Sequence, residues 1–218
     1  MRTEKEEIMT TTTSSYPVNP EAVQAMKQFL EALGLDLTAL GMEKTPYRVA
    51  EAFGQFFSGL EENPDDEWAA PIISQTNGLV AVRNIRFQSM CEHHLLPFFG
   101  TAHIAYYPQD GRIAGFGHFA RAVSVLARRP QLQERLTEDL CQSLCRGLQP
   151  KGVLVVVKAT HLCLTMREGM AADADIVTAA TSGCLQAGTK EYDQAWKLLM
   201  GDAGAGTILM KEEESWTP

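Results

Sequence analysis

Residues 79–107 read LVAVRNIRFQSMCEHHLLPFFGTAHIAYY. From Leu79 to Phe87 apolar and polar residues alternate imperfectly and β-branched side chains are frequent, which predicts a strand. Phe98 to Tyr107 repeats that character and predicts its antiparallel neighbour, closed by the turn residues Pro108, Gln109, Asp110 and Gly111. Between the two strands stands Cys91-Glu92-His93-His94, so this pairing presents a cluster of metal donors and proton carriers at its tip.

Downstream of this pair, residues from about Gly117 to Arg129 have a helical pattern that Pro130 interrupts. Leu132, Leu136, Leu140 and Leu144 then continue on a second helix to about Leu148. Gly152 to Thr160 is a continuous apolar strand of the buried type, Ile176 to Ala180 is a weaker strand, and Tyr192 to Met200 is a short helix. Upstream, Asn19-Pro20-Glu21 and Thr45-Pro46 are helix starts, for helices ending near Gly34 and Gly59. The acidic, proline-containing stretch from Glu61 to Pro71 reads as a surface loop. Strands, paired helices and strands again predict an α+β fold with a largely antiparallel sheet and packed helices. At 218 residues the chain is expected to hold one domain, residues 18–200, between a mobile N-terminal arm (1–17) and a C-terminal tail (201–218).

Hydrophobic residues make up 45% and charged residues 21%, a globular balance that excludes collagenous or largely disordered chains. A net charge of -8 argues against nucleic-acid or anionic-membrane binding, so an anionic ligand needs a local cationic cluster. No apolar run approaches the roughly 18 residues of a membrane span, and residues 1–15 carry no apolar secretory segment, so the chain is expected to be cytoplasmic. Five cysteines without a disulfide-framework spacing point to reduced thiols or metal ligation. Cys141 and Cys145, one helical turn apart, read as packing residues, and His103 as a strand histidine with a local partner.

The chemistry-bearing set is Cys91-x-x-His94 with His161-x-Cys163 beyond the helical pair. Thiolate and imidazole are the preferred donors for zinc. Cys91, His94 and Cys163 would leave the fourth tetrahedral position to water, whose pKa the metal lowers toward about 7. His93 and His161 are then available as proton donors and acceptors. The competing reading is a closed structural site with His93 or His161 as fourth ligand, which spacing alone leaves open. Gln133-Glu134, flanked by Arg128, Arg129 and Arg135, offers a carboxylate and an amide to an amidine-like edge such as that of guanine. The plainer alternative there is a solvated helix face laced with ion pairs.

Three segments, Ser89-Met90-Cys91-Glu92-His93-His94-Leu95-Leu96-Pro97-Phe98, Gln131-Leu132-Gln133-Glu134-Arg135-Leu136-Thr137 and His161-Leu162-Cys163, resemble the signatures of the GTP cyclohydrolase I family in order and spacing. Thr45-Pro46-Tyr47-Arg48-Val49-Ala50 resembles its N-terminal helix motif, so the likeness spans roughly residues 20–200. The resemblance implies a tunnelling fold whose barrel is completed by oligomerisation in a toroidal homodecamer, with active sites between subunits. It implies Zn2+ on Cys91, His94 and Cys163, proton transfer by His93 and His161, and guanine recognition by Gln133 and Glu134. It further implies that water adds at C8 of GTP, the imidazole ring opens, formate leaves and a dihydropterin triphosphate forms.

The phosphate end departs from the family pattern. A Ser-Lys pair there becomes Gly117-His118 within Gly115-Phe116-Gly117-His118-Phe119-Ala120-Arg121, and Arg-Gly becomes Arg167-Glu168. The following threonine-rich strand thins to Val177-Thr178-Ala179-Ala180-Thr181. Arg48, Arg121 and Arg167 remain, with His118 as a further contact. The alternatives that follow are a paralogue acting on a purine base, nucleoside or 8-oxopurine without the triphosphate, and a catalytically silent purine- or pterin-binding protein.

Overall fold

In the computed structural model, which describes residues 17–75, 77–166 and 174–201, the chain divides into two compact units that part between Ser58 and Gly59. The first unit contains α1 (Pro20–Ala32) and α2 (Thr45–Phe56). Each begins with proline in its first turn, and Asn19 caps α1 by accepting the Glu21 amide at 2.8 Å.

The second unit carries β1 (Ile72–Ile73), β2 (Val80–Cys91), β3 (Pro97–Tyr107), β4 (Arg112–Ile113), α3 (Phe116–Ala127), β5 (Pro130–Gln131), α4 (Gln133–Leu148), β6 (Gly152–His161), α5 (Leu162–Thr165), β7 (Ile176–Gly183) and α6 (Lys190–Met200). β1 pairs with β4, and the main sheet has the order β5-β2-β3-β6-β7. All its pairings are antiparallel except β2 with β5, so the sheet is mixed at one edge. β2 runs further than the alternation predicts, and its register with β3 shifts between Val82 and Ile85, where Asn84 takes φ 58°. That bulge is the physical source of the imperfect alternation.

β6 divides its side chains between two apolar clusters, which is why residues 153–157 read as a buried run. Val153, Val155 and Val157 join α3 and α4 residues such as Phe119, Leu126, Leu136, Leu140 and Leu144. Leu154 and Val156 join Ala195, Trp196 and Leu199 of α6 on the other face.

The expectation of a surface loop over residues 61–71 is corrected. Residues Pro64–Trp68 form a 3-10 helix capped by Asn63, and Trp68 is 2% exposed. Its indole Nε1 donates to Ser143 Oγ at 2.8 Å, Ser143 donates to Asp65 at 2.6 Å, and Asp65 pairs with Arg146 at 2.7 Å. A single tryptophan over Gly147, where an added Cβ would come within 2.2 Å of the Trp68 side chain, outweighs the polar composition around it. The N-terminal arm and C-terminal tail fall outside the described residues, apart from Pro17 and Gly201. No helix among the described residues is long and apolar enough to cross a membrane.

Candidate functional site

Sheet register assembles the site. Ser89 pairs with Phe98, and Phe98 with His161, so the tip of the β2–β3 pair and the end of β6 lie in one row across three strands. The Cys91 amide donates to the Leu96 carbonyl at 2.9 Å and the Leu95 amide to the Cys91 carbonyl at 2.8 Å, with Leu95 at φ 52°. This tight turn holds His93 and His94 exposed above a buried Cys91. Cys163 sits on α5, immediately after β6, and its Sγ, the Cys91 Sγ and one His94 ring nitrogen all lie within 4.8 Å of one another.

A tetrahedral zinc with two thiolates and one imidazole sets its ligand atoms roughly 3.5–3.8 Å apart. The triad fits such an ion in donor type, and mutual separations within 4.8 Å are compatible with it. Glu92 accepts a salt bridge from Arg135 at 2.6 Å, which ties the turn to α4. The parallel pairing of Cys91 with Gln131 brings the start of α4 alongside.

Gln133, 1% exposed, opens α4 with its side-chain amide engaged on both sides. The two Nε2 hydrogens are shared among three acceptors, the carbonyls of Val157 (3.0 Å) and Ile176 (3.1 Å) and Thr178 Oγ1 (3.1 Å). Those two carbonyls fix the amide orientation, because a flip would place oxygen against oxygen. Oε1 therefore faces His161 Nε2 at 2.8 Å and accepts its proton-bearing bond, which leaves Nδ1 as the acceptor atom of the neutral ring. Phe98 stacks on that ring at 4.6 Å, and burial pushes the His161 pKa down against the opposing pull of Glu134. Gln133, expected to read a guanine edge, has its amide hydrogens bonded within the fold, while its Oε1 accepts from His161 and keeps a second lone pair. Glu134, one residue on, is exposed in the first turn of α4 with no salt bridge among the described residues. Of the flanking arginines, Arg135 pairs with Glu92 and Arg129 donates to the carbonyls of Gly59 and Glu62, both at 2.8 Å.

The expected phosphate contacts are placed elsewhere. His118 and Arg121 lie in the first half of α3, while the other end of that helix adjoins the site through Ser89 Oγ, which donates to the Arg129 carbonyl at 3.2 Å. At 1.5 Å per residue they stand about 9–14 Å along the helix from its last residue, Ala127. Both engage Glu67, at 3.0 Å from His118 Nδ1 and 2.8 Å from Arg121 Nε. Glu67 escaped the sequence reading because it lay in the presumed loop; its only signal was its place beside Trp68. Arg48 is exposed on α2 in the first unit, and Arg167 lies outside the described residues, as does Glu168. His103 is buried on β3 between Thr101 Oγ1 (3.0 Å) and the Asn84 amide (3.5 Å), and burial, with Arg83 and Lys158 adding to it, lowers its pKa.

A family model described as GTP cyclohydrolase I matches residues 22–199. The GTP cyclohydrolase 1 of Bacillus subtilis is 46% identical over 167 residues, 76% of this chain and 88% of that protein. The GTP cyclohydrolase 1 of Streptococcus pyogenes is 42% identical over 186 residues, 85% of this chain and 96% of that one. Among solved structures, an apo archaeosine synthase QueF-Like aligns at 23% identity and a TM-score of 0.41, covering 50% of this chain and 97% of its own.

Proposed function

This chain belongs to the GTP cyclohydrolase I family, and we propose that it hydrolyses the imidazole ring of a purine at C8, with GTP as the substrate the family indicates. Its α+β fold, with a mixed five-stranded sheet, is the fold of that family. The observation that carries the reading is the convergence of Cys91, His94 and Cys163 within 4.8 Å, next to a His161 ring whose proton-bearing nitrogen is held by Gln133.

Cys91, His94 and Cys163 would hold Zn2+, which when bound lowers the pKa of a water toward about 7. His161 offers Nδ1 to take and return protons at the purine, since Nε2 is committed to Gln133. Phe98, stacked on the ring, and Gln133 together keep it in that orientation. His93, exposed on the same turn as His94, is the second proton carrier. Glu134 supplies a carboxylate for the guanine N1 and 2-amino edge, and Gln133 reaches substrate through His161. In the net reaction the C8 carbon leaves as formate after water addition and cleavage of its two ring C–N bonds.

His118 and Arg121 lie on the half of α3 away from the end that adjoins the metal ligands. That separation supports sites completed by a neighbouring subunit, as a homodecamer would provide. Localisation in the cytoplasm fits a purine-consuming enzyme of this kind.

The test is to incubate the zinc-loaded chain with GTP and follow formate release and loss of purine absorbance. His161→Ala should retain zinc and lose about 10²-fold or more in rate. Loss of zinc in that variant makes His161 a ligand and favours the closed structural site, whereas a zinc-loaded wild type that releases no formate favours a silent binding paralogue.

A further inference from the structure

The two cations expected to meet the substrate's phosphates are already bridged by a carboxylate of their own chain. Glu67 places Oε2 3.0 Å from His118 Nδ1 and Oε1 2.8 Å from Arg121 Nε. An ionised carboxylate only accepts, so His118 donates through Nδ1. The side chain of Glu67 is 11% exposed, against 50% for His118 and 70% for Arg121. The cations therefore face solvent while the anion lies behind them.

Glu67 cannot easily withdraw. It precedes Trp68, whose ring is buried against Phe119 at 5.2 Å and bonded to Ser143. Asp65, two residues earlier, is held by Ser143 and Arg146. Burial works to raise the Glu67 pKa, but the bonds from Arg121 and His118 outweigh it, so the group stays anionic below the ordinary carboxylate range. Glu62 adds a second negative field at Arg121. The sum over Glu67, Arg121 and His118 is thus zero with a neutral imidazole and +1 with a protonated one, one unit less positive than the two cations alone.

We propose that Glu67 is a specificity-determining residue, a built-in counter-ion on His118 and Arg121 that weakens binding of a polyphosphate tail while leaving recognition of the purine untouched. This rests on the reading that His118 and Arg121 face the 5′ end of the substrate. A triphosphate arriving there must share or displace a tethered carboxylate, whereas a nucleoside meets no such competition. Glu67 therefore narrows the advantage of GTP over guanosine.

The experiment compares wild type with Glu67→Gln, both full-length and zinc-loaded, at low ionic strength. Inorganic tripolyphosphate binding is followed by calorimetry, and kcat/KM is measured for GTP and guanosine. Removing one charge at contact distance should tighten tripolyphosphate binding about tenfold and shift the GTP-to-guanosine ratio by a similar factor, with the gain shrinking as salt rises. Guanosine affinity should not change. Unchanged or weaker tripolyphosphate binding overturns the proposal, because Glu67 then merely orients the cations or sits outside the site. Should Glu67→Gln melt early, Glu67→Asp keeps the charge but shortens its reach, and the same tightening in smaller degree is required of it. If no purine is turned over but tripolyphosphate binding still tightens, the counter-ion role stands and the cyclohydrolase reading falls.

Discussion

The two ends of the second unit solve opposite problems. At the metal end, backbone register does the positioning: Ser89, Phe98 and His161 lie in one row, Cys91 pairs with Gln131, and the Gln133 amide is bonded to β6 and β7. At the far end of α3 the charged groups are placed by one another, through Glu67 between His118 and Arg121. The contrast teaches that the first end is preorganised by hydrogen bonds that substrate need not supply. The second is preneutralised by a group that an anionic substrate must oppose.

The largest effect should come from cutting the ligand set. Cys163→Ala removes a donor that no neighbouring group replaces in kind, and metal analysis should find zinc lost with turnover down more than about 10³-fold. Full zinc occupancy in that variant would falsify the assignment of the triad and erase the distinction between the two ends. A smaller break in the same end is Gly100→Ala. Gly100 pairs with Ala159, two residues from the Phe98–His161 pair, and an added Cβ would stand 1.9 Å from the Lys158 carbonyl oxygen and 2.7 Å from Ala159 Cα. Both obstacles are backbone, so β3 and β6 must separate. We expect a loss of about 3 kcal/mol in unfolding free energy, read by denaturant titration, and a fall in activity because the His161 row shifts with the strands. A variant of wild-type stability means the strands yield more readily than the register suggests.

How much of this was legible follows the same division. Cys91-x-x-His94 and His161-x-Cys163 were readable as two short donor pairs, each a local signal, with two strands around residues 91–94 setting the direction of the first; which of these residues hold a metal came from the family resemblance and not from spacing. The helix starts at Pro20 and Thr45-Pro46 were readable for the same reason. Gln133 was found as a residue but not in its arrangement, since its partners Val157, Ile176 and Thr178 lie 24 to 45 residues away. Glu67 was missed because its partners are 51 and 54 residues distant and its own segment has the composition of a loop. Periodicity reports what a segment buries, and a 3-10 helix of five residues with one buried tryptophan has too few positions to show any.

The smallest effect is the most discriminating for the phosphate end. Gly117 occupies the first turn of α3, and a Cβ added there meets nothing within 4 Å, in contrast with Gly100. Serine is a better helix former than glycine by a few tenths of a kcal/mol, so Gly117→Ser should raise stability by about 0.5 kcal/mol, a melting shift of roughly 1–2 °C for a chain of this length. The new hydroxyl also adds a neutral donor at the position where the family pattern has serine, yet it leaves the charge sum over Glu67, Arg121 and His118 where it was. Tripolyphosphate affinity should therefore rise no more than about twofold in Gly117→Ser, and the gains of Gly117→Ser and Glu67→Gln should combine in the double variant, since one adds a neutral donor and the other removes an anion. A tenfold gain from Gly117→Ser alone would mean that the missing hydroxyl, and not the internal carboxylate, limits phosphate binding at this end.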